Sequence, residues 1–256
     1  MKKAILALVA GLIAVCANNT AHAVVVTVDG SKTWSGYMNV FNINDNGSKG
    51  GYLWGNGWGL ADVKSTVTGN TVTLEPNYNC FAPTDSYWSN GRAAGVDPVT
   101  EEAYPAVTGT IGNKFMEGST FIEQKGLLNG SLLSFTGSVD SYSLNSAYSA
   151  VAFIKVFKYA GFWNNTTSQW QDAWNYDDQN IAYGSLTGGT FTVNRDLTSA
   201  TNDDIFQYGF TVAGRNANPA NTMGSVVVSA IPEPSVASML GFGALGLVAT
   251  RLRRRS

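Results

Sequence analysis

Histidine and cysteine are almost absent from this chain, which has one of the first and two of the second among 256 residues. The single histidine, His22, and one cysteine, Cys16, lie near the N-terminus, so Cys80 is the only thiol in the long region that follows. A Ser-His-Asp or Cys-His nucleophile and a histidine-ligated zinc ion all need imidazole. The region after His22 therefore cannot form any of these sites, because it has no histidine. It cannot form an intramolecular disulfide either, because it has one cysteine. We expect Cys80 to be a small buried hydrophobe.

Charge and helical periodicity are scarce as well. Only 13% of the residues are charged, and no stretch before the C-terminal tail keeps an apolar 3.6-residue period for three turns. Short runs rich in β-branched and aromatic residues recur instead, and clusters of glycine, asparagine and proline separate them. This pattern predicts an all-β domain.

The N-terminal residues are typical of a secretory signal peptide. Lys2 and Lys3 precede an apolar run over residues 4–17, and Ala21-His22-Ala23 offers small residues at the positions that a signal peptidase reads. We predict that residues 1–23 direct export through the Sec translocon and are then removed by signal peptidase. The mature domain would then span residues 24–230.

Two prolines, an apolar run and an arginine cluster end the chain. Pro232 and Pro234 flank Glu233 and hold the backbone extended. Residues 236–252 then predict a helix of roughly 25 Å, which is marginal for a hydrocarbon core of about 30 Å. The cluster consists of Arg251, Arg253, Arg254 and Arg255. Such a cluster stays cytoplasmic, which places the preceding domain outside.

This order of Pro-Glu-Pro, glycine-rich apolar run and terminal arginines resembles the PEP-CTERM sorting signal of Gram-negative bacteria. The resemblance covers residues 231–256. It implies a transmembrane helix that anchors the protein temporarily in the inner membrane, and processing near the Pro-Glu-Pro by an exosortase, a membrane cysteine protease. The processed protein would reach the cell surface or the extracellular matrix. An ordinary C-terminal membrane anchor is the alternative.

The mature domain is acidic once both ends are removed. Residues 24–230 hold 10 lysines and arginines against 17 aspartates and glutamates, a net charge of −7. A domain with this balance lacks the basic surface that nucleic acid or anionic lipid requires. We therefore expect no nucleic-acid partner.

Nine runs within this domain predict strands. They are Val24–Val28, Trp34–Phe41, Thr71–Leu74, Lys114–Gln124, Leu132–Val139, Ala150–Lys158, Thr190–Val193, Phe206–Val212 and Ser225–Ser229. Residues 133–139 alternate apolar and polar side chains, as in a strand with one wet face. Residues 150–157 are almost continuously apolar and predict a central strand. About nine strands joined by turns predict an antiparallel β-sandwich of jelly-roll type.

Two segments also resemble jelly-roll carbohydrate-binding modules. They are the step Leu128-Asn129-Gly130 followed by the alternating strand, and the run over residues 189–193. The resemblance implies the architecture, and it implies sugar binding only by analogy.

A long aromatic loop follows the predicted central strand. Residues 161–178 hold three tryptophans and a tyrosine among amides and carboxylates, namely Trp163, Trp170, Trp174 and Tyr176. Flat aromatic faces can stack on the C–H faces of a pyranose, and an exposed aromatic cluster marks a binding surface. These four residues are candidate glycan contacts, with exopolysaccharide as the candidate partner. The alternative is a loop that folds its tryptophans back over the sandwich.

A second aromatic group lies in a glycine-rich stretch and consists of Tyr52, Trp54 and Trp58. Its glycines permit close backbone approach. The group predicts either an aromatic plug at one end of the sandwich or a second binding subsite.

Carboxylates raise two further questions. Loop acids such as Asp203 and Asp204 could hold a structural calcium ion, but no calcium-loop motif is present, so we predict no cofactor and no metal ligand. A glycosidase needs only two carboxylates. The candidates by type are Glu101, Glu102, Glu117 and Glu123. The last two fall six residues apart in one predicted strand, roughly 20 Å along it. That separation suits neither glycosidase geometry, so we assign no catalytic residue.

Together these features predict an exported, non-enzymatic binding or structural protein of the cell surface or of the exopolysaccharide matrix of a biofilm. Two alternatives stay open: an extracellular glycan-active enzyme and a protein-binding adhesin. Exposed coplanar tryptophan rings in the 163–178 loop would favour glycan binding, and buried ones would favour a scaffold.

Overall fold

A computed structural model describes residues 23–126, 132–175 and 181–231. The predicted signal peptide up to His22, the predicted sorting signal from Pro232 onward and the candidate contact Tyr176 lie outside the described residues. Within the three described ranges there is no helix of the length and apolarity that crossing a membrane needs.

The described residues form strands and turns and contain no helix, so the predicted all-β class is confirmed. The strands are β1 (Ala23–Thr27), β2 (Trp34–Ile43), β3 (Lys49–Trp58), β4 (Ser65–Thr68), β5 (Thr71–Leu74), β6 (Gly95–Val96), β7 (Ala103–Tyr104), β8 (Phe115–Lys125), β9 (Leu132–Tyr142), β10 (Ser149–Tyr159), β11 (Phe162–Asn164), β12 (Gln169–Gln171), β13 (Trp174–Asn175), β14 (Ile181–Ser185), β15 (Gly189–Asp196), β16 (Ile205–Arg215) and β17 (Val226–Ser229).

Two large sheets contain most of these strands. The six-stranded sheet has the order β1-β9-β17-β5-β4, with β15 on the other edge of β9. The seven-stranded sheet has the order β13-β10-β16-β8-β2-β3, and β14 also pairs with β10. β10 therefore has neighbours on both sides, which confirms the prediction of an inner strand. Two small ribbons, β6-β7 and β11-β12, stand apart from the sheets.

The two large sheets share one hydrophobic core, as in a β-sandwich. Phe135 of β9 and Phe191 of β15 lie with their ring centroids 5.2 Å apart. Phe135 also meets Tyr208 and Phe210 of β16 in the opposite sheet, each at 5.3 Å. The alternation of buried and outward residues along β9, β15 and β16 points one apolar row from each strand into this layer.

The prediction of a wholly antiparallel sandwich is wrong at one place. β1 pairs with β9 in parallel, with Val24 opposite Leu133 and Val26 opposite Phe135. Parallel neighbours need a long connection between them, and more than 100 residues separate these two strands. The other strand pairs of the described residues are antiparallel.

The second aromatic group, Tyr52, Trp54 and Trp58, lies beside a second, smaller hydrophobic core. Trp54 packs against Trp58 and Trp88, each with centroids 6.2 Å apart, and its Nε1 donates to the Tyr87 hydroxyl at 2.8 Å. These rings cover a buried cluster formed by Met38, Val40, Val63 and Met116. The tryptophans of β3 therefore pack over buried side chains, although Tyr52 in the same strand is exposed.

Cys80 packs against this smaller core and is half-buried. Burial, followed by the nearby charge of Asp62, raises the pKa of its thiol to about 11. A thiol with that pKa is protonated and unreactive at neutral pH, in agreement with the expected role as a small hydrophobe.

Candidate functional site

The aromatic loop contains a hairpin that brings two tryptophans together. Strands β11 and β12 pair so that Trp163 lies directly opposite Trp170. Directly opposed residues point to the same face of a hairpin, with Cβ atoms about 4.5–5.5 Å apart. Trp163 is 54% exposed and Trp170 is 58% exposed. Both tryptophans therefore lie on one face of the hairpin, and each exposes more than half of its surface to solvent.

The turn of this hairpin is built by local polar contacts. Oδ1 of Asn164 accepts hydrogen bonds from the backbone N–H groups of Thr166 at 2.9 Å and Thr167 at 3.2 Å. An asparagine that bonds the backbone in this way starts a tight turn. Ser168 then has a φ of 53°, which reverses the chain into β12. The polar run between the tryptophans thus fixes the register that sets them opposite each other.

The base of the hairpin is tied to the end of β10 through Tyr159. Nε1 of Trp170 donates to the Tyr159 hydroxyl at 2.8 Å, and that hydroxyl donates to Oδ1 of Asp172 at 2.8 Å. The backbone N–H of Ala160 also donates to the carbonyl of Ala173 at 2.8 Å. A side chain at position 161 would collide with the Tyr159 hydroxyl and with Nε1 of Trp170, so it would push apart the two groups that form this hydrogen bond.

The phenol of Tyr159 remains a donor over a wide pH range. The bond from Trp170 by itself lowers the pKa of this phenol, but the bond to Asp172 and the neighbouring carboxylate charges raise it, and the net effect is a raised pKa. A raised folded pKa means that the associated stability is fully present below the ordinary pKa and is lost as pH rises through the folded value. The tie to Asp172 should therefore persist at neutral pH.

Replacing Tyr159 with phenylalanine tests this tie. The change keeps the ring but removes the acceptor for Trp170 and the donor to Asp172, so we expect the hairpin to loosen while the sandwich stays folded. The indole emission should shift to longer wavelength because Trp170 gains contact with water, and circular dichroism should be unchanged. An unshifted emission spectrum would contradict the assigned hydrogen bond.

Trp174 packs beside the base of the hairpin and is half-buried. Its Nε1 donates to the carbonyl of Asp203 at 2.9 Å, and its ring meets Tyr159 edge-on with centroids 5.8 Å apart. The ammonium of Lys125 lies 5.3 Å from the centre of the same ring. The structure thus brings Trp163 and Trp170 to one exposed face and gives Trp174, the third predicted contact, a packing role beside them.

A buried carboxylate holds the loop on which Trp174 rests. Asp204 is 1% exposed and accepts from Nζ of Lys158 and from the backbone N–H groups of Tyr159 and Thr201, each at 2.9 Å. Burial alone would raise the pKa of this carboxyl, but the hydrogen bonds and the charge of Lys158 outweigh it, and the pKa is lowered. Asp204 is therefore ionised and structural.

Other acids have local partners. The carboxylates of Asp29, Asp97 and Asp196 each accept backbone N–H groups within their own turns. Glu117 pairs with Lys49 at 2.7 Å, and Glu123 accepts from Gln207 at 2.7 Å. Among the residues that the structure describes, no group of three or more histidines, cysteines, aspartates or glutamates is placed to hold a metal ion.

Three supporting residues were missed at the level of sequence: Tyr159, Lys158 and Asp172. None belongs to a motif, and a tyrosine at the end of an apolar run is common in any strand. No protein-family model matches the chain, and a comparison with curated proteins finds no match.

Proposed function

We propose that this chain is an exported, non-enzymatic component of the cell surface or of the exopolysaccharide matrix, and that the face of the β11-β12 hairpin binds a neutral glycan. The observation that carries the proposal is the pair of opposed tryptophans, each more than half exposed. Burying large aromatic side chains is favourable. Two tryptophans that stay exposed on one face of a hairpin are therefore typical of a binding surface that a ligand covers.

The chemistry of the hairpin suits a sugar. The hydrophobic face of a pyranose presents C–H groups that pack on an indole ring, and its hydroxyl groups need hydrogen-bond partners around the rim. The Tyr159 hydroxyl, which contacts Nε1 of Trp170, and the Asp172 carboxylate bound to it lie beside this face. A hydroxyl both donates and accepts, and a carboxylate accepts. The net charge of −7 for residues 24–230 favours a neutral polymer over an anionic one.

A binding role is better supported than a hydrolytic one. Glu117 and Glu123 lie in the single strand β8, and each is engaged by a different partner. Residues six apart in a strand are roughly 20 Å from each other, whereas a glycosidase needs two carboxyl groups about 5–10 Å apart across one bond. These two glutamates therefore do not form a glycosidase pair, and the separation favours the binding role.

The finer architecture and the route to the surface are parts of the same proposal. The two-sheet sandwich with its connections between distant strands favours a jelly-roll arrangement like that of carbohydrate-binding modules. The Pro-Glu-Pro, the apolar run and the terminal arginines support transient anchoring in the inner membrane and processing by an exosortase. Signal peptidase and the Sec translocon would act earlier, at the N-terminus.

Exchange of both exposed tryptophans tests glycan binding. The variant Trp163→Ala with Trp170→Ala should lose at least about tenfold in affinity for exopolysaccharide from a producing strain, immobilised as an affinity gel, because two stacking surfaces disappear together. Phe162→Ala is the matched control, since Phe162 is 49% exposed on the opposite face of the same hairpin. Equal retention of parent and double variant would reject the hairpin as a glycan site.

A further inference from the structure

The outer face of the six-stranded sheet carries a row of hydroxyl side chains. Strand register places one serine or threonine of each of five neighbouring strands directly opposite the next, from β15 through β9, β17 and β5 to β4. In order across the sheet the row consists of Thr190, Ser138, Ser229, Thr71 and Thr68. We call these five residues the hydroxyl row.

All five side chains point away from the hydrophobic core. Their strand neighbours, such as Phe191, Val139 and Val72, are buried between the sheets, and successive residues of a strand alternate between faces. Thr68 and Thr190, at the two ends of the row, are exposed, and the three residues between them are half-exposed. The row is thus open to solvent along its length.

The same face is free of positive charge. Strand alternation places two carboxylates, Asp140 and Asp196, on this face, and it places no lysine or arginine of the six described strands there. Asp140 lies beside the row, and its Oδ1 accepts from the hydroxyl of Ser229 at 3.0 Å. Hydroxyls donate and accept, and a carboxylate accepts. This set of groups matches a partner that is rich in hydroxyls and uncharged.

The spacing of the row defines the shape of that partner. Neighbouring strands lie about 4.7–4.9 Å apart, and a stretched chain of β-linked pyranoses advances by a similar distance per sugar. Neighbouring strands also turn relative to one another by about 20–25°, so the row twists as it crosses the sheet. A single flexible chain can follow such a twist, whereas a flat crystal surface would touch only part of it.

We propose that the hydroxyl row binds one extended, neutral, β-linked polysaccharide chain that runs across the strands with one sugar over each strand. Thr136 and Thr192, which face each other two residues farther along β9 and β15, broaden the contact on one side. The inference rests on the proposed function, because it gives the exported domain a second contact with the same class of polymer as the hairpin.

Threonine-to-valine exchanges test the row without altering its shape. The full chain, purified in a nonionic detergent, is run in native gels that contain hydroxyethyl cellulose, a neutral β-linked glucan. The parent should be retarded, and Thr68→Val with Thr71→Val and Thr190→Val should weaken binding about tenfold or more, because three hydrogen-bonding groups are removed. Valine favours strands, so the fold should be kept. The variant Thr68→Ser with Thr190→Ser keeps the hydroxyls and should bind like the parent.

Two further proteins make the outcome decisive. The control Thr33→Val with Thr84→Val and Thr108→Val changes three exposed threonines outside the row and should bind like the parent. If the valine row variant is retarded like the parent while the Trp163→Ala, Trp170→Ala variant is not, the row inference is overturned and the hairpin stands. If the row variant alone loses binding, the row stands and the hairpin role is rejected. A parent that migrates freely in the gel overturns the row inference, whereas the hairpin is judged by the exopolysaccharide affinity gel.

Discussion

Replacing Phe135 with alanine should lower the free energy of unfolding by about 3–5 kcal/mol. Phe135 is fully buried and touches Phe191 in its own sheet and Tyr208 and Phe210 in the other. The alanine leaves a cavity between two sheets that cannot close around it without moving a whole strand. Since domains of this kind are stable by about 5–15 kcal/mol, the variant should be near the limit of folding.

Urea denaturation followed by far-ultraviolet circular dichroism measures this loss. Phe162→Ala serves as the comparison, because that ring is exposed in the β11-β12 hairpin and its removal should change the stability by less than about 0.5 kcal/mol. If the two variants unfold at the same urea concentration, the two sheets do not share the core described above.

Asp204→Asn should be the second most damaging change, with a loss of about 2–4 kcal/mol in unfolding free energy. The amide cannot pair as an anion with Lys158, and its NH₂ group competes with backbone N–H groups that need an acceptor. Asp203→Asn is the matched control, since the hydrogen bond that Asp203 accepts from Trp174 uses its backbone carbonyl, which the exchange keeps. Thermal unfolding of both variants gives the comparison, and equal melting temperatures would show that Asp204 is not a structural anion.

The same carboxylate predicts how stability depends on pH. The folded pKa of Asp204 is lowered, so the unfolded chain takes up a proton first as acid is added. The stabilisation is present above the unfolded pKa, near 3.8, and is lost as pH falls toward the folded value. The parent should therefore lose stability below about pH 4 more steeply than Asp204→Asn does.

Strand positions could be predicted from the sequence where apolar and β-branched residues occur close together. All nine runs identified from the sequence form strands, with ends that differ by a few residues. β3 was missed because four glycines in ten residues hide its period. The fold needs the glycine at position 55, where a side chain would collide with Asn39 and with the ring of Tyr37. Only the position of the neighbouring strand reveals that need.

Long-range pairing was beyond the reach of sequence patterns. Nothing in the run of residues 24–28 shows that it joins β9 in parallel rather than closing an antiparallel pair. The candidate site was likewise predictable only in part. The tryptophans drew attention by composition, but their separation into an exposed pair and one supporting ring depends on the Asn164 turn and the Tyr159 tie, which are contacts between segments.

The last strand described also sets the order in which the domain can assemble. β17 lies inside the six-stranded sheet, between β9 and β5, although it comes at the end of the described chain. Among the described strands, the β4-β5 hairpin joins that sheet through β17 alone. A polypeptide that emerges from its N-terminus onward has to deliver residue 229 before the sheet can close, and such late, distant pairing is slow. Until then the chain remains an open form that chaperones and proteases can engage.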